Sequence, residues 1–351
     1  MLTYIIRRLM IMIPTLLVVS IGTFAIIQLP PGDYVTTLMA QLAMSGEPID
    51  MERLEAMRRE YGLEQPMWRQ YTRWMGFEWF YGSRQGRPME MFGGPSGMLQ
   101  GDFGQSFKYS RPVNKLIWER IALTTSIALT SIIVTWIIAI PIGIWSAVRQ
   151  YGKLDYAATF LAFIGMSIPQ FLFALLMLFI ANRYFGISAG GLFSEPYIDA
   201  AWNMAKVWDL LLHLWVPVLV LSIAGTGATV RTMRANLLDQ LMMPYVITAR
   251  AKGLSEWWLL IKYPFRLAIN PMISTIGWML PALISGSVIV SIVLNLPTTG
   301  PLLYESLISQ DMYLAGSFIM ILSFLTMIGT LISDILLGWV DPRIRFQSKN
   351  E

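Results

Sequence analysis

Apolar and polar residues alternate along this chain in long blocks. Six apolar blocks stand out, at roughly 9–29, 117–148, 157–181, 213–232, 271–295 and 314–338. Each is long enough to cross hydrocarbon about 30 Å thick, which takes about 20 helical residues. The pattern predicts an all-α polytopic membrane protein with six transmembrane helices. The first block follows Arg7-Arg8 and has no small-residue cleavage site before Pro30-Pro31-Gly32, so it reads as an uncleaved anchor rather than a signal peptide. Several blocks contain helix breakers: Pro141 with Gly143, Pro169, Pro217 with Gly225 and Gly227, and Pro281 with Gly286. Such residues serve as hinges of a moving pathway or as sites of kinking and close helix packing.

Between the first two blocks lies a long segment, 30–116, broken by Gly-Pro clusters such as Phe92-Gly-Gly-Pro-Ser-Gly97. Residues 50–61 are highly charged and predict a short surface helix. Residues 66–80 interleave Trp68, Tyr71, Trp74, Trp79 and Phe80 with Arg69 and Arg73, which suits a helix lying in the headgroup zone as an aromatic belt.

The most informative polar block is the island Pro244-Tyr-Val-Ile-Thr-Ala-Arg-Ala-Lys-Gly253, continuing Leu-Ser-Glu-Trp-Trp-Leu-Leu-Ile-Lys-Tyr-Pro264. It predicts two short helices with their punctuation written in. Pro244 suits a first helical turn, where its missing N–H is not needed. Gly253 suits a left-handed stop. Ser255 suits the cap of the next helix, and Pro264 its end.

Composition agrees with the block pattern. Hydrophobic residues make up 55% and charged residues 14%, against about 25% charged in a soluble domain, and the mean hydropathy is +0.54. The net charge of +4 is modest, and no basic run of the nucleic-acid-binding type occurs. Where the charges fall matters more. Segment 231–270 carries Arg231, Arg234, Arg250, Lys252, Lys262 and Arg266 against Asp239 and Glu256, whereas 296–313 carries Glu305 and Asp311 and no basic residue. Arg149 and Lys153 lie between blocks two and three, and Arg343, Arg345 and Lys349 in the tail. The positive-inside rule then puts both termini, the 149–156 turn and the 231–270 loop in the cytosol, and 30–116 outside. The organisation expected is an N-terminal transmembrane helix (1–29), an extracytoplasmic segment with short amphipathic helices (30–116), a five-helix core (117–338) with a cytosolic loop at 233–270, and a cytosolic tail (339–351).

Catalytic chemistry is sparse. There is no cysteine, hence no disulfide framework, thiolate metal site or cysteine nucleophile, and the single histidine is His213. Triads and zinc sites need more. No Walker A pattern occurs, so no nucleotide is bound by that route. Asp334 is the clear ionisable residue within a block. It lies near Arg343 and Arg345, which points to a structural ion pair or cap. Glu119 and Arg120 are adjacent on a helix and do not face each other. The charge-poor spans speak against a secondary transporter or a membrane-embedded hydrolase, either of which places charged groups in the bilayer.

The stretch Ile247-Thr-Ala-Arg-Ala-Lys-Gly253, with Pro271 eighteen residues after the glycine, resembles the cytosolic EAA signature of ABC-importer permeases. More closely, the chain resembles the dipeptide/oligopeptide/nickel permease family. Tyr245, Val246, Thr248, Ala249, Arg250, Ala251, Lys252, Gly253 and Leu254 match its pattern. So, in the family's order, do Ile6-Arg-Arg-Leu9 with Pro14, Pro31-Gly-Asp33, Tyr61-Gly-Leu63 with Gln65-Pro66, Gly101-Asp-Phe-Gly104 with Ser106, Arg111-Pro112-Val113, and Asp341-Pro-Arg-Ile-Arg345. Departures are Ile247 at the first EAA position, usual for the peptide branch, Pro297-Thr-Thr-Gly300 where Pro-Gly-Leu-Gly is common, and an insertion at 81–99.

The resemblance implies a type I importer permease fold in a prokaryotic plasma (inner) membrane, with a long extracytoplasmic loop after helix 1. It implies a permease subunit without a catalytic site or cofactor of its own. ATP and Mg would be bound by two ABC ATPase subunits, beside a second homologous permease, an extracytoplasmic solute-binding protein and membrane lipid. It implies transport of di- or oligopeptides, or oligosaccharides by the same machinery. It also implies that Tyr245, Thr248, Ala249, Arg250, Ala251, Lys252, Gly253 and Leu254 form the coupling helix, with Ala249 and Ala251 on the docking face and the basic residues meeting acidic groups of the partner. The alternative for this island is a helix resting on anionic lipid, to which Trp257, Trp258 and Lys262 are suited.

Overall fold

The computed structural model describes residues 2–77, 97–186, 190–198, 200–275 and 288–340. Regular structure there is helical, apart from an isolated bridge between Gln105 and Pro112. In chain order the longer elements are α1 (Leu2–Gln28), α2 (Tyr34–Ser45), α3 (Met51–Glu60), α4 (Met67–Met75), α5 (Val113–Val148), α6 (Lys153–Ser167), α7 (Gln170–Phe185), α8 (Met204–Leu241), α9 (Pro244–Ala251), α10 (Glu256–Lys262), α11 (Pro264–Ala268), α12 (Val288–Val293), α13 (Thr299–Ile308) and α14 (Met312–Val340).

Among the described residues four helices, α1, α5, α8 and α14, are long and apolar enough to cross a membrane, in line with four of the expected blocks. The block at 157–181 is not one continuous helix. α6 and α7 meet at Ile168-Pro169 with a bend of 100°, the geometry of a broken span or of a re-entrant loop. Pro169 withholds a backbone N–H and disfavours helical geometry in the residue before it, and Ile168 is extended. The expected block at 271–295, with Pro281 and Gly286, lies partly outside the described residues, as do the 81–99 insertion except its last three residues and the 339–351 tail after Val340. Pro141 and Pro217 sit within α5 and α8 without ending them.

The chain divides into two compact units. One comprises Leu9–Ala122 and Thr299–Phe324. Its core gathers Phe24, Val35, Leu54, Trp74, Phe107, Met312 and Ala315. Phe107 stacks on Tyr61 with ring centres 4.4 Å apart and meets Tyr313 edge-on at 5.3 Å. Asp33 caps α2 through the Thr36 N–H at 2.8 Å and accepts the Arg58 Nε–H at 2.9 Å, tying α3 to the start of α2. Asp311 is buried beside Ser106 Oγ (2.5 Å) and the Lys108 and Leu314 amides (both 3.2 Å). Burial pushes its carboxyl above the usual range, against these hydrogen bonds. The expected aromatic belt at 66–80 is therefore only half right. Trp68 is exposed, but Trp74 is 2% exposed and packs against Phe24 and Tyr71, with Gly316 fitting closely beneath its ring. Trp79 and Phe80 lie outside the described residues.

The other unit comprises Met1–Arg8, Leu123–Thr298 and Leu325–Glu351. α8 is its spine, packing against α6, α7 and α11. At 38 residues it runs about 57 Å, well beyond the hydrocarbon thickness. One apolar cluster joins Ile127, Ala174, Val216, Val220, Leu221 and Val290. Close helix approach depends on glycine. A Cβ on Gly227 would lie 2.5 Å from the Ala162 carbonyl oxygen, and one on Gly143 would lie 2.7 Å from the Met233 Cβ. These glycines are packing sites between α6 and α8 and between α5 and α8, as small residues are in membrane helix pairs. Asp334 forms the expected ion pair, but with Arg8 of α1 at 2.8 Å; Arg343 and Arg345 lie outside the described residues.

A second ion pair was not foreseen. Asp155, 3% exposed in the first turn of α6, receives Arg234 Nε at 2.8 Å and Nη2 at 2.9 Å, the Tyr151 N–H at 2.9 Å, and the Ser146 hydroxyl. This fork-on-carboxylate arrangement joins the end of α5, the turn after it, α6 and the last two turns of α8.

Two expected outcomes test this architecture. Trp74→Ala should destabilise the protein by about 3–5 kcal/mol, as large aromatic-to-alanine changes in cores do, while Trp68→Ala should change little. Thermal unfolding in detergent or nanodiscs distinguishes them, and equal effects would return Trp74 to the membrane surface. Arg234→Met should leave the Asp155 carboxylate buried and unpaired, at about 3–5 kcal/mol. Arg234→Met with Asp155→Asn should recover much of that loss. A single variant as stable as wild type would show that the pair does not hold the turn.

Candidate functional site

The polar island folds as the spacing predicts, with particular differences. Pro244 occupies the first helical position of α9, after an extended Met243. The Thr248 hydroxyl bonds back to the Pro244 carbonyl at 2.9 Å. α9 closes with a Schellman arrangement: Gly253 N–H meets Arg250 O at 3.0 Å and Leu254 N–H meets Ala249 O at 3.4 Å. Gly253 has φ +79°, the left-handed conformation that a residue without Cβ adopts freely.

Ser255 precedes α10 in extended conformation, but its hydroxyl makes no capping bond. The junction is held instead by Arg250, which forks onto Glu256 at 2.6 and 2.9 Å. The hydrogen bonds from Arg250 hold the Glu256 carboxyl below its usual range, and the same pairing raises Arg250. Pro264 does not simply end α10. Helix α10 ends at Lys262 with Tyr263 as its C-cap, and Pro264 opens α11. A residue with no N–H breaks the preceding ladder, yet its fixed φ suits a new first turn.

The helix pair is mounted on α8. Only Met242 and Met243 separate α8 from α9, and the Tyr245 hydroxyl reaches Gln240 Oε1 at 2.7 Å. Leu260 and Ala268 pack with Met233, Leu237, Met272 and Ala147. Val246, Ala249 and Leu259 form the small core between α9 and α10, flanked by Tyr245, Leu254 and Tyr263.

This packing sorts the expected coupling residues. Thr248, Arg250, Ala251, Lys252 and Gly253 are exposed. Tyr245 and Leu254 are half-buried supports. Ala249, expected on an exposed docking face, is 7% exposed and packs with Leu259 inside the helix pair. Its small size lets α10 approach, not another chain. Arg250 spends its guanidinium on Glu256. Ile247, set aside as a mere departure from the EAA pattern, presents an apolar side chain 60% exposed on the outer face of α9. On α10, Trp257 and Trp258 are 68% and 56% exposed, next to Lys262, as an interfacial helix requires.

Elsewhere, His213 and Glu119 each have a partner within the fold. His213 is buried and its Nδ1 lies 2.8 Å from the Asp209 carbonyl oxygen, while the Asp209 carboxylate accepts from the Ser194 amide and hydroxyl at 2.8 and 2.6 Å. Glu119, beside Arg120, pairs with Arg111 at 2.9 Å.

Comparison with known proteins matches this arrangement to one family across nearly the whole chain. Residues 139–346 match the binding-protein-dependent transport system inner membrane component family, and residues 1–128 match the N-terminal region of such membrane components. The oligopeptide transport system permease protein AppB of Bacillus subtilis (strain 168) is 35% identical over 99% of this chain and 100% of its own length. The dipeptide transport system permease protein DppB of Escherichia coli (strain K12) is 27% identical over 98% and 99%. The peptidoglycan transport system permease protein YejB of Agrobacterium fabrum is 28% identical over 99% of both. With several long apolar helices, a polar helix pair mounted on one of them, and these matches from end to end, the chain belongs to the binding-protein-dependent transport system inner membrane components, as an ABC-importer permease of the dipeptide/oligopeptide family.

Proposed function

We propose that this permease carries di- and oligopeptides through a prokaryotic plasma membrane and that α9 is its coupling helix. The observation that carries the reading is the mounting of α9. A short helix with an exposed outer face is joined by two residues to a 38-residue helix and packs on α10, whose Leu260 in turn packs with Met233 and Leu237 of that long helix. A push on α9 therefore displaces α8 rather than a loose loop. Peptide as cargo is supported by the names of the relatives AppB and DppB.

In this reading the chain crosses the membrane six times with both termini cytosolic, and the 271–295 block is the fifth span. Two ABC ATPase subunits bind ATP and Mg beneath it. A second, homologous permease stands beside it, and a solute-binding protein delivers peptide to the outer face. The chain contributes no catalytic group and no cofactor site. Ile247, Thr248, Ala251 and Lys252 meet the ATPase, with Ile247 as the apolar anchor and Lys252 as the charge. Tyr245, Ala249, Arg250 and Leu254 hold the helix in place, and Gly253 turns the chain toward α10.

Two substitutions separate surface from scaffold. Ile247→Glu should lower co-purification of the ATPase subunits about tenfold or more, as loss of an interface anchor does, while leaving the permease inserted and folded. Gly253→Val places a β-branched residue at positive φ, at about 1–2 kcal/mol. No atom lies within 4 Å of the added Cβ, so its effect should be misdirection of the return toward α10. The expected result is ATP hydrolysis no longer stimulated by the binding protein. If both variants assemble, hydrolyse ATP and transport peptide as wild type does, α9 is not the coupling element.

A further inference from the structure

Between α5, α6 and α8 lies an open groove of about 630 Å³, within the size range of small-molecule sites. Its walls are hydrocarbon, from residues such as Ile138, Ile142, Trp145, Leu161, Ile164 and Ile223. Two polar side chains border it, and both are satisfied within the protein. Ser146 bonds to Asp155, and the Thr226 hydroxyl bonds to the Ser222 carbonyl at 2.8 Å. Apart from the Trp145 indole N–H at one end, the walls offer a polar ligand no hydrogen bond.

One end is different. Trp145 lines the groove, and the Arg149 guanidinium lies over its ring, 4.8 Å from the centre. Leu154 lines the same end, and Lys153 precedes it as the exposed first residue of α6. The adjacent acid, Asp155, is buried and already neutralised by Arg234. Arg149 and Lys153 make no ion pair among the described residues. The groove is thus a hydrocarbon furrow with an indole and the Arg149 guanidinium at one end, where Lys153 is the neighbouring exposed cation in sequence.

We infer that this groove is a binding site for an anionic glycerophospholipid, with an acyl chain along the α5–α6–α8 furrow and the phosphate at Arg149 and Lys153. Each half of the site matches one half of that molecule. A chain of CH₂ groups takes the apolar walls without leaving a polar atom unpaired. A phosphate beside two basic residues at a membrane surface gains the attraction that juxtamembrane Lys and Arg provide. A second permease is the competing occupant of the same furrow. The site abuts the Asp155–Arg234 junction, so an occupied groove buttresses the α5–α6 turn.

The test uses the assembled importer in detergent, supplied with equal amounts of phosphatidylglycerol and phosphatidylcholine, with retained lipids read by native mass spectrometry. Wild type should retain phosphatidylglycerol preferentially. Arg149→Gln with Lys153→Gln, both on the surface, should reduce that preference about tenfold. Ala158→Phe, which fills the furrow, should displace the lipid while Arg149 and Lys153 remain. Retention of phosphatidylglycerol in Ala158→Phe would mean that the basic turn attracts lipid without a groove site, and would overturn the inference. So would the absence of any preference in wild type. Loss of the second permease from Ala158→Phe, with lipid retention unchanged, would assign the groove to the permease interface instead.

Discussion

The Asp155–Arg234 pair sets the position of everything at the polar end of the larger unit. Membrane helices have little hydrophobic drive to associate with one another, since lipid tails are as apolar as leucine. Their relative placement rests on close packing and on a few polar contacts. Here glycine lets α6 and α8 approach, and a buried carboxylate with four donors then fixes the register. Such a group tolerates no sliding, because any shift leaves a charge in a poorly solvated place. α8 and the α5–α6 turn must move together or not at all.

In the proposed coupling role of α9, that constraint gives the mounted helix pair its mechanical meaning. Arg234 lies two turns before the end of α8, and α9 begins directly after it. The small core of Val246, Ala249 and Leu259, the Arg250–Glu256 fork and the contacts of Leu260 with Met233 and Leu237 join α9, α10 and α8 at several points. An element that is to pass on a movement needs such redundancy. A flexible loop would absorb the displacement in its own φ and ψ angles. The second unit shows a different strategy, with aromatic stacking around Phe107 and buried or part-buried carboxylates at Asp311 and Asp33 holding short helices that are too small to be stable alone.

What the sequence determined by itself was local or one-dimensional. Long apolar blocks gave α1, α5, α8 and α14, because a helix in hydrocarbon satisfies its own backbone and needs only length and apolarity. Pro244 and Gly253 marked the ends of α9, because capping depends on the conformational range of single residues. The matching motifs carried the family, since their order along the chain is itself a sequence property. Tertiary structure decided which face each helix turned inward. Trp74 and Ala249 were read as surface residues, from an aromatic-basic mixture and a small-residue pattern; both are buried, because neighbours distant in sequence or on the next helix cover them. Pro169 was visible as a breaker, but the 100° bend it permits depends on what α6 and α7 pack against. The Asp155–Arg234 pair left no trace in the sequence, since 79 residues separate its partners and neither sits in a recognisable motif. Only folding brings such charges within 3 Å, and only burial makes their pairing obligatory.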